Sequence, residues 1–171
     1  MTRECVLIIL SGLPGSGKTT IAKAAALALN AVHLRIDTIE QAIMRSSLAP
    51  ASVEEAGYLI GYDLARDNLC LGHKIIADSV NPIELTRKAW RDVASDAGVP
   101  ALDIEIVCSD RALHRQRVET RAADIDGLRL PGWDDVMRRD YRSWTTDRLV
   151  LDTAILTVDA CVERLRSALR S

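Results

Sequence analysis

The chain has 171 residues, 48% hydrophobic and 27% charged, with a net charge of −2. That length and apolar content suit one domain with a full core, over residues 1–171. The slight acidity excludes the global basic field by which long nucleic acids are gripped, and leaves room only for a local pocket that takes a short oligonucleotide end.

The first element is the apolar run "CVLIILSG". It is too short for a membrane span and lacks a signal-peptide cleavage site, so it predicts a buried strand over Val6–Leu10 and no membrane association. Next comes "GLPGSGKT", Gly12 to Thr19, a full match to G-x-x-x-x-G-K-[ST] between a strand and the helical "TIAKAAALALN". In such a loop Gly12, Leu13, Pro14, Gly15, Ser16 and Gly17 turn the backbone so that successive N–H groups face phosphate oxygens. Lys18 is expected to neutralise the β- and γ-phosphates, Thr19 to ligate Mg²⁺, and Thr20 to continue the grip; ATP and Mg²⁺ are the implied cofactors.

A second strand, Val32–Ile36, runs into Asp37 in "HLRIDTIEQ". With Glu40 three residues on, Asp37 has capping-box spacing. It also has the chemistry of a general base, because strand ends of a parallel sheet open onto one crevice. The two roles are compatible. A helix is predicted from Val53 to about Leu71, with Ser52 and Glu55 as its capping box; Tyr58, Tyr62 and Arg66 recur every four residues, a stripe read as core packing before acceptor pocket.

The third strand, Lys74–Ala77, ends in Asp78. An apolar strand ending in Asp is the Walker B form, so Asp78 is a candidate for metal or substrate contact. Asn81 and Glu84, with Pro82 between them, predict the next helix start. The fourth strand, Asp103–Cys108, leads into "CSDRALHRQRVETRAADI", with Ser109 or Asp110 as cap. Arg115 and Glu119 read as a surface pair. Arg117 and Arg121 share a helix face with no carboxylate four residues away, an arrangement that costs stability unless an anion lies between them. The Gly/Pro-punctuated segment that follows marks a short lid over about residues 121–135. Beyond it, Arg138, Arg139 and Arg142 read as a solvated face. The fifth strand, Arg148–Leu151, ends at Asp152 and Thr153, candidate neighbours of the adenine base.

The three tryptophans are assigned to packing, with Trp133 able to lever the lid, and His33, His73 and His114 receive no role. The four cysteines, Cys5, Cys70, Cys108 and Cys161, have neither metal-ligand nor redox-motif spacing. Reduced thiols and a cytoplasmic location are expected. Alternating strand and helix patterns predict an α/β fold, a three-layer αβα sandwich with a five-stranded, mostly parallel sheet.

"GLPGSGKTT", "RID" and "IIADSVNP…TR" together resemble the small P-loop kinases of the adenylate-kinase-like branch. Within it the chain is similar to the group of zeta toxins, chloramphenicol phosphotransferase, adenylylsulfate kinase and the kinase module of polynucleotide kinases. The resemblance implies the P-loop NTPase fold, Asp37 as general base, a D-x-x-N-P-like turn matched by Asp78, Asn81, Pro82 and Arg87, and lid arginines at Arg117 and Arg121. "RIDTIE" departs from the "DGDN" of adenylylsulfate kinases, and "VCSDRALHRQRVETR" lacks their run, which argues against sulfate activation. The expectation is a kinase, monomer or homodimer, that transfers the γ-phosphate of Mg-ATP to the hydroxyl of an unidentified small-molecule or nucleotide-like acceptor. The alternatives are a polynucleotide 5′-hydroxyl kinase and a non-kinase ATPase switch; against the switch, no convincing water-positioning Gln is found.

Overall fold

The computed structural model describes residues 5–47, 52–53 and 55–170. Its elements follow in the order β1 (Leu7–Ser11), α1 (Lys18–Leu29), β2 (Val32–Arg35), α2 (Ile36–Arg45), α3 (Ala56–Cys70), β3 (Ile75–Asp78), α4 (Glu84–Asp96), β4 (Ala101–Val107), α5 (Arg111–Thr120), α6 (Trp133–Arg138), β5 (Leu149–Asp152) and α7 (Val158–Ala168). The five strands form one sheet in the order β2-β3-β1-β4-β5, and every neighbouring pair is parallel.

The period of two along β1 explains the layers. Leu7 and Ile9 project to one face and join Ile75 and Ala77 of β3 against Ala65, Leu69, Trp90 and Val93 of α3 and α4. Ile8 and Leu10 project to the other, where Ile76, Ile104, Ile106 and Leu151 pack on Ile21, Ala25, Cys161 and Leu165 of α1 and α7. All five residues of β1 are buried, as the central strand of a sheet covered on both faces must be. Burial of each such aliphatic side chain is worth about 1.5–3 kcal/mol. A third, small cluster joins Val118, Trp133 and Val136 to Leu13 of the glycine-rich loop.

Two expected caps are absent, and one helix begins later than expected. Asp37 does not cap α2: Arg35 holds the N-cap position, and Asp37 lies in the first turn, where its charge still faces the positive end of the helix dipole. Helix α3 begins at Ala56 rather than Val53, with Glu55 in the N-cap position and no side-chain cap. Asn81 does not cap α4, whose N-cap is Ile83. It sits instead at φ 46°, a left-handed conformation that asparagine tolerates. Its amide nitrogen donates to the Leu10 carbonyl (3.2 Å) and Ser11 Oγ (3.1 Å), and its amide oxygen accepts from Ser79 Oγ (2.9 Å), tying the end of β1 to the end of β3. Asp110, by contrast, caps α5, accepting from the N–H groups of Ala112 and Leu113 at 2.9 and 3.0 Å.

Arg87 is fully buried on α4. It donates to the carbonyls of Asn81 (2.9 Å), Pro82 (3.3 Å), Arg142 (2.8 Å) and Ser143 (3.3 Å), and its guanidinium lies 4.1 Å from the Trp144 ring centroid. The downstream arginine of the D-x-x-N-P-like turn thus clamps the 141–144 segment to that turn.

Candidate functional site

The loop after β1 has the backbone a phosphate cradle requires. Gly12, Gly15 and Gly17 have φ of 144°, 81° and 101°, where a side chain is strained. At Gly12 space forbids one as well, because a Cβ would collide with the Ile106 carbonyl oxygen. The loop is anchored from outside at two carbonyls. His114 Nε2 donates to the Pro14 oxygen at 2.9 Å while its ring sits edge-on to Trp133. Thr153 Oγ1 donates to the Ser16 oxygen at 2.7 Å and accepts from Arg117 at 2.7 Å. Arg117 also donates to the Thr153 carbonyl at 3.1 Å.

Lys18 is 9% exposed and donates to the Leu13 carbonyl at 3.2 Å. Burial pulls its ammonium below the ordinary lysine value, against the attraction of Asp78 and Asp37. Asp78 at the end of β3 is 3% exposed and accepts from His33 Nε2 at 3.1 Å; that geometry requires the Nε2–H form of the imidazole. Burial pushes the Asp78 carboxyl up, but His33, Lys18 and the Thr19 side chain together outweigh it and hold it below the usual carboxylate range. It is therefore an anion at neutral pH, next to the hydroxyl expected to share a cation with it.

Two cavities flank the loop. One, of about 550 Å³, is mostly apolar and is lined by Gly15, Gly17, Thr20, Ile21, Arg117, Arg121, Thr153, Leu156, Val158 and Cys161. The other, of about 330 Å³, is polar and contains Gly15, Gly17, Lys18, Thr19, Thr20, Arg35, Asp37, Glu40, Tyr58, Asp78, Arg121, Arg129 and Arg139. Gly12, Leu13 and Ser16 line a smaller space of about 240 Å³ beside β4.

The structure thus brings Asp37, Lys18, Thr19, Asp78 and Arg121 into one cleft, and sets Arg117 and Thr153 on its apolar side. Asp152 lines neither large cavity; its carboxylate accepts from the N–H groups of Ser109 (3.1 Å) and Ala154 (3.0 Å). Arg121 ends α5, donates to the Pro131 carbonyl at 3.4 Å and keeps a buried Nε without a partner; burial lowers its pKa, an effect only partly offset by Asp37. It does not pair with Asp124, which bridges instead to Lys23 at 2.9 Å and Arg35 at 2.9 Å.

Several cleft residues escape a sequence reading. Arg139 is exposed, as a solvated residue should be, yet it also lines the cleft. Tyr58 divides its role: its ring lies against Tyr62 while its hydroxyl accepts from the Asn81 N–H at 3.4 Å at the cleft wall. Tyr62 packs edge-on to Trp90, as a core stripe should, and Arg66 pairs with Asp63 at the surface. Glu40 has a signal that is visible only in hindsight: three residues after Asp37 on a helix, it must share the face that Asp37 presents. For His33 and His114 no sequence signal exists, since both act on partners brought near by the fold.

The AAA domain model AAA_33 matches residues 7–132, about three quarters of the chain. The chain belongs to this AAA domain family. A curated protein of Aeropyrum pernix, named a probable adenylyl-sulfate kinase, is 25% identical over an alignment of 187 positions that covers 97% of this chain and 93% of the relative. A candidate kinase from Chloroflexus aurantiacus j-10-fl superposes with a TM-score of 0.75 at 24% identity, covering 98% of this chain and 97% of that one. The Mycobacterium tuberculosis APS kinase CysC, solved with AMPPNP and APS, gives 0.73 at 16% identity, covering 98% and 99%. Chaetomium thermophilum Kti12, solved with ADP-AlF3, gives 0.68 at 22%, covering 95% and 98%. At these identities the superpositions speak for the fold, which is that of the α/β P-loop kinases. With the family match they describe an AAA domain protein that has this fold. Among the described residues no helix is long and apolar enough to cross a membrane.

Proposed function

We propose that this protein is a Mg-ATP-dependent kinase that phosphorylates a hydroxyl group of a small molecule. The carrying observation is that Asp37, Lys18, Thr19, Asp78 and Arg121 line a single polar cleft. The apolar cavity on the other side of Gly15 and Gly17 would take the nucleoside, with Thr153 and Arg117 at its wall. Thr19 and Asp78 would hold Mg²⁺, and the anionic state of Asp78 suits a hard cation. When bound, that ion neutralises charge on the β- and γ-phosphates.

The acceptor oxygen attacks the γ-phosphorus, the bond from that phosphorus to the β,γ-bridging oxygen breaks, and ADP leaves. The hydroxyl proton goes to Asp37, whose side chain is half exposed and within 3.8 Å of Arg35. Lys18 and Arg121 compensate the charge of the transferring group, and the segment 121–135 acts as a lid that closes over it. Free thiols at Cys70, Cys108 and Cys161 fit a reducing compartment, and the cytoplasm is the proposed location. Among the described residues no glutamine lines the cleft, so a water-directed ATPase switch lacks its central group.

The test is transfer from γ-labelled ATP to a panel of sugars, nucleosides, antibiotics and 5′-hydroxyl oligonucleotides, with Asp37→Asn in parallel. Transfer to a hydroxyl acceptor that falls by about 10²-fold or more in the variant is expected. Equal transfer by the variant, or acceptor-independent hydrolysis alone, would refute the proposal.

A further inference from the structure

The cleft contains a carboxylate that phosphoryl transfer does not use. Glu40 sits one helical turn beyond Asp37 on α2, and both line the polar cavity. At this spacing their Cβ atoms are about 5–6 Å apart on one face. Glu40 is not splayed toward solvent. It lies against α3 at Gly57, where an added Cβ would collide with Glu40 Cγ, so the glycine makes room for it. Among the described residues Glu40 has no hydrogen-bond or ion-pair partner, yet it is half-buried and close enough to Asp37 and Arg139 to feel both charges. A carboxylate held in a cleft without a partner is a hydrogen-bond acceptor waiting for a donor.

Building on the kinase reading, we infer that Glu40 is a specificity-determining residue that accepts a hydrogen bond from a second hydroxyl of the acceptor, next to the one Asp37 deprotonates. The acceptor class is then a polyhydroxylated compound, a sugar, polyol or ribose. A hydroxyl both donates and accepts, and the cleft offers both complements. Asp37 and Glu40 accept, while Arg129 and Arg139 at the mouth donate. A cationic acceptor would satisfy the carboxylates equally but would face these arginines at close range. A mono-hydroxyl acceptor would leave Glu40 desolvated with nothing in return.

The experiment uses the full chain and labelled ATP with ribose, gluconate, adenosine and uridine, each against an analogue lacking one hydroxyl. The wild type is expected to phosphorylate at least one of these polyhydroxylated compounds and to lose tenfold or more in kcat/KM on its deoxy analogue, the discrimination of a site built to bind that hydroxyl. Glu40→Gln should raise KM for the full acceptor by tenfold or more, while kcat falls far less than in Asp37→Asn. On the deoxy analogue Glu40→Gln should cost almost nothing further, a coupling that a merely structural residue would not produce. Gly57→Ala, which displaces Glu40 without removing it, should reproduce the KM effect. A deoxy analogue as good as its parent, or a Glu40→Gln penalty that is the same on both, overturns the inference and leaves the kinase standing. Transfer only to mono-hydroxyl compounds does the same, and no transfer to any hydroxyl overturns both.

Discussion

Glu40 also shows at the scale of one residue how a site strains the fold. Burial first, and Asp37 second, push its carboxyl above the usual range, with Arg139 only partly offsetting them. A carboxyl whose folded pKa is raised binds its proton more tightly in the folded state, so it lowers stability as pH rises through that pKa. Above the unfolded carboxyl range the group is therefore a net cost, and Glu40→Gln is expected to raise Tm by about 1–3 °C at pH 7 while the difference shrinks toward pH 4. Scanning calorimetry at the two pH values checks it; a Tm lower than wild type at pH 7 would contradict the burial argument. Gly12 carries the opposite expectation. Its φ of 144° and the Ile106 carbonyl leave no place for a methyl group. Gly12→Ala should cost about 1–3 kcal/mol in urea denaturation and abolish the Tm rise that saturating Mg-ATP gives the wild type.

At the scale of elements, what could be read in the sequence was whatever is carried by local pattern. "GLPGSGKT" encodes its own backbone, and Asp78 and Asp37 are placed by the strands that precede them. All five strands lie within a residue or two of their expected bounds, because their apolar runs end where the chain turns. The caps expected of Asp37 and Asn81 failed for a physical reason: a side chain can satisfy the nearest helix or a partner across the fold, and local spacing does not say which. Asn81 bonds to β1, and Glu40 turns into the cleft rather than back to its own helix start. Arg87 is the extreme case. Its four carbonyl partners span residues 81–143, and nothing in "ELTRKAW" announces that the arginine is fully buried. Arg87→Leu should cost about 3–5 kcal/mol, since it orphans buried carbonyls as well as removing charge-assisted bonds. Arg87→Lys should recover only a minor part, as one ammonium cannot span four acceptors that a planar guanidinium fork reaches. Chemical denaturation of the two variants separates this from a loss of packing alone, which lysine would largely restore.

At the scale of the whole molecule, the segment between α5 and α6, the proposed lid, lines the cleft through Leu128, Arg129, Leu130 and Pro131. Asp124 in that segment binds Lys23 of α1 and Arg35 at the end of β2, Asp126 lies 3.7 Å from Arg45 of α2, and Gly127 packs on Gln41. Lys23 first and Arg35 second hold the Asp124 carboxyl down to about 2. The sign follows from linkage: a depressed carboxyl gives stability that is present above its unfolded value near 4 and is lost as pH falls through about 2. Both partners of the Lys23 pair are about half exposed, so solvent screening limits the contribution to global stability to less than about 1 kcal/mol. The consequence is therefore local. Asp124→Asn should leave Tm within about 2 °C of wild type but raise amide hydrogen exchange across residues 122–131 severalfold, with high salt producing the same change in the wild type. Arg35 makes this more than a loop effect. It pairs with Asp124 and also lies 3.8 Å from Asp37, so releasing this segment frees a guanidinium beside the proposed base. If the lid is what completes the cleft, Asp124→Asn should raise KM for ATP and acceptor together, and the rise should vanish in salt strong enough to open the wild type. Unchanged exchange in the variant would mean that the apolar seat of Trp133 and Val136 on Leu13, and not the ion pairs, holds this segment in place.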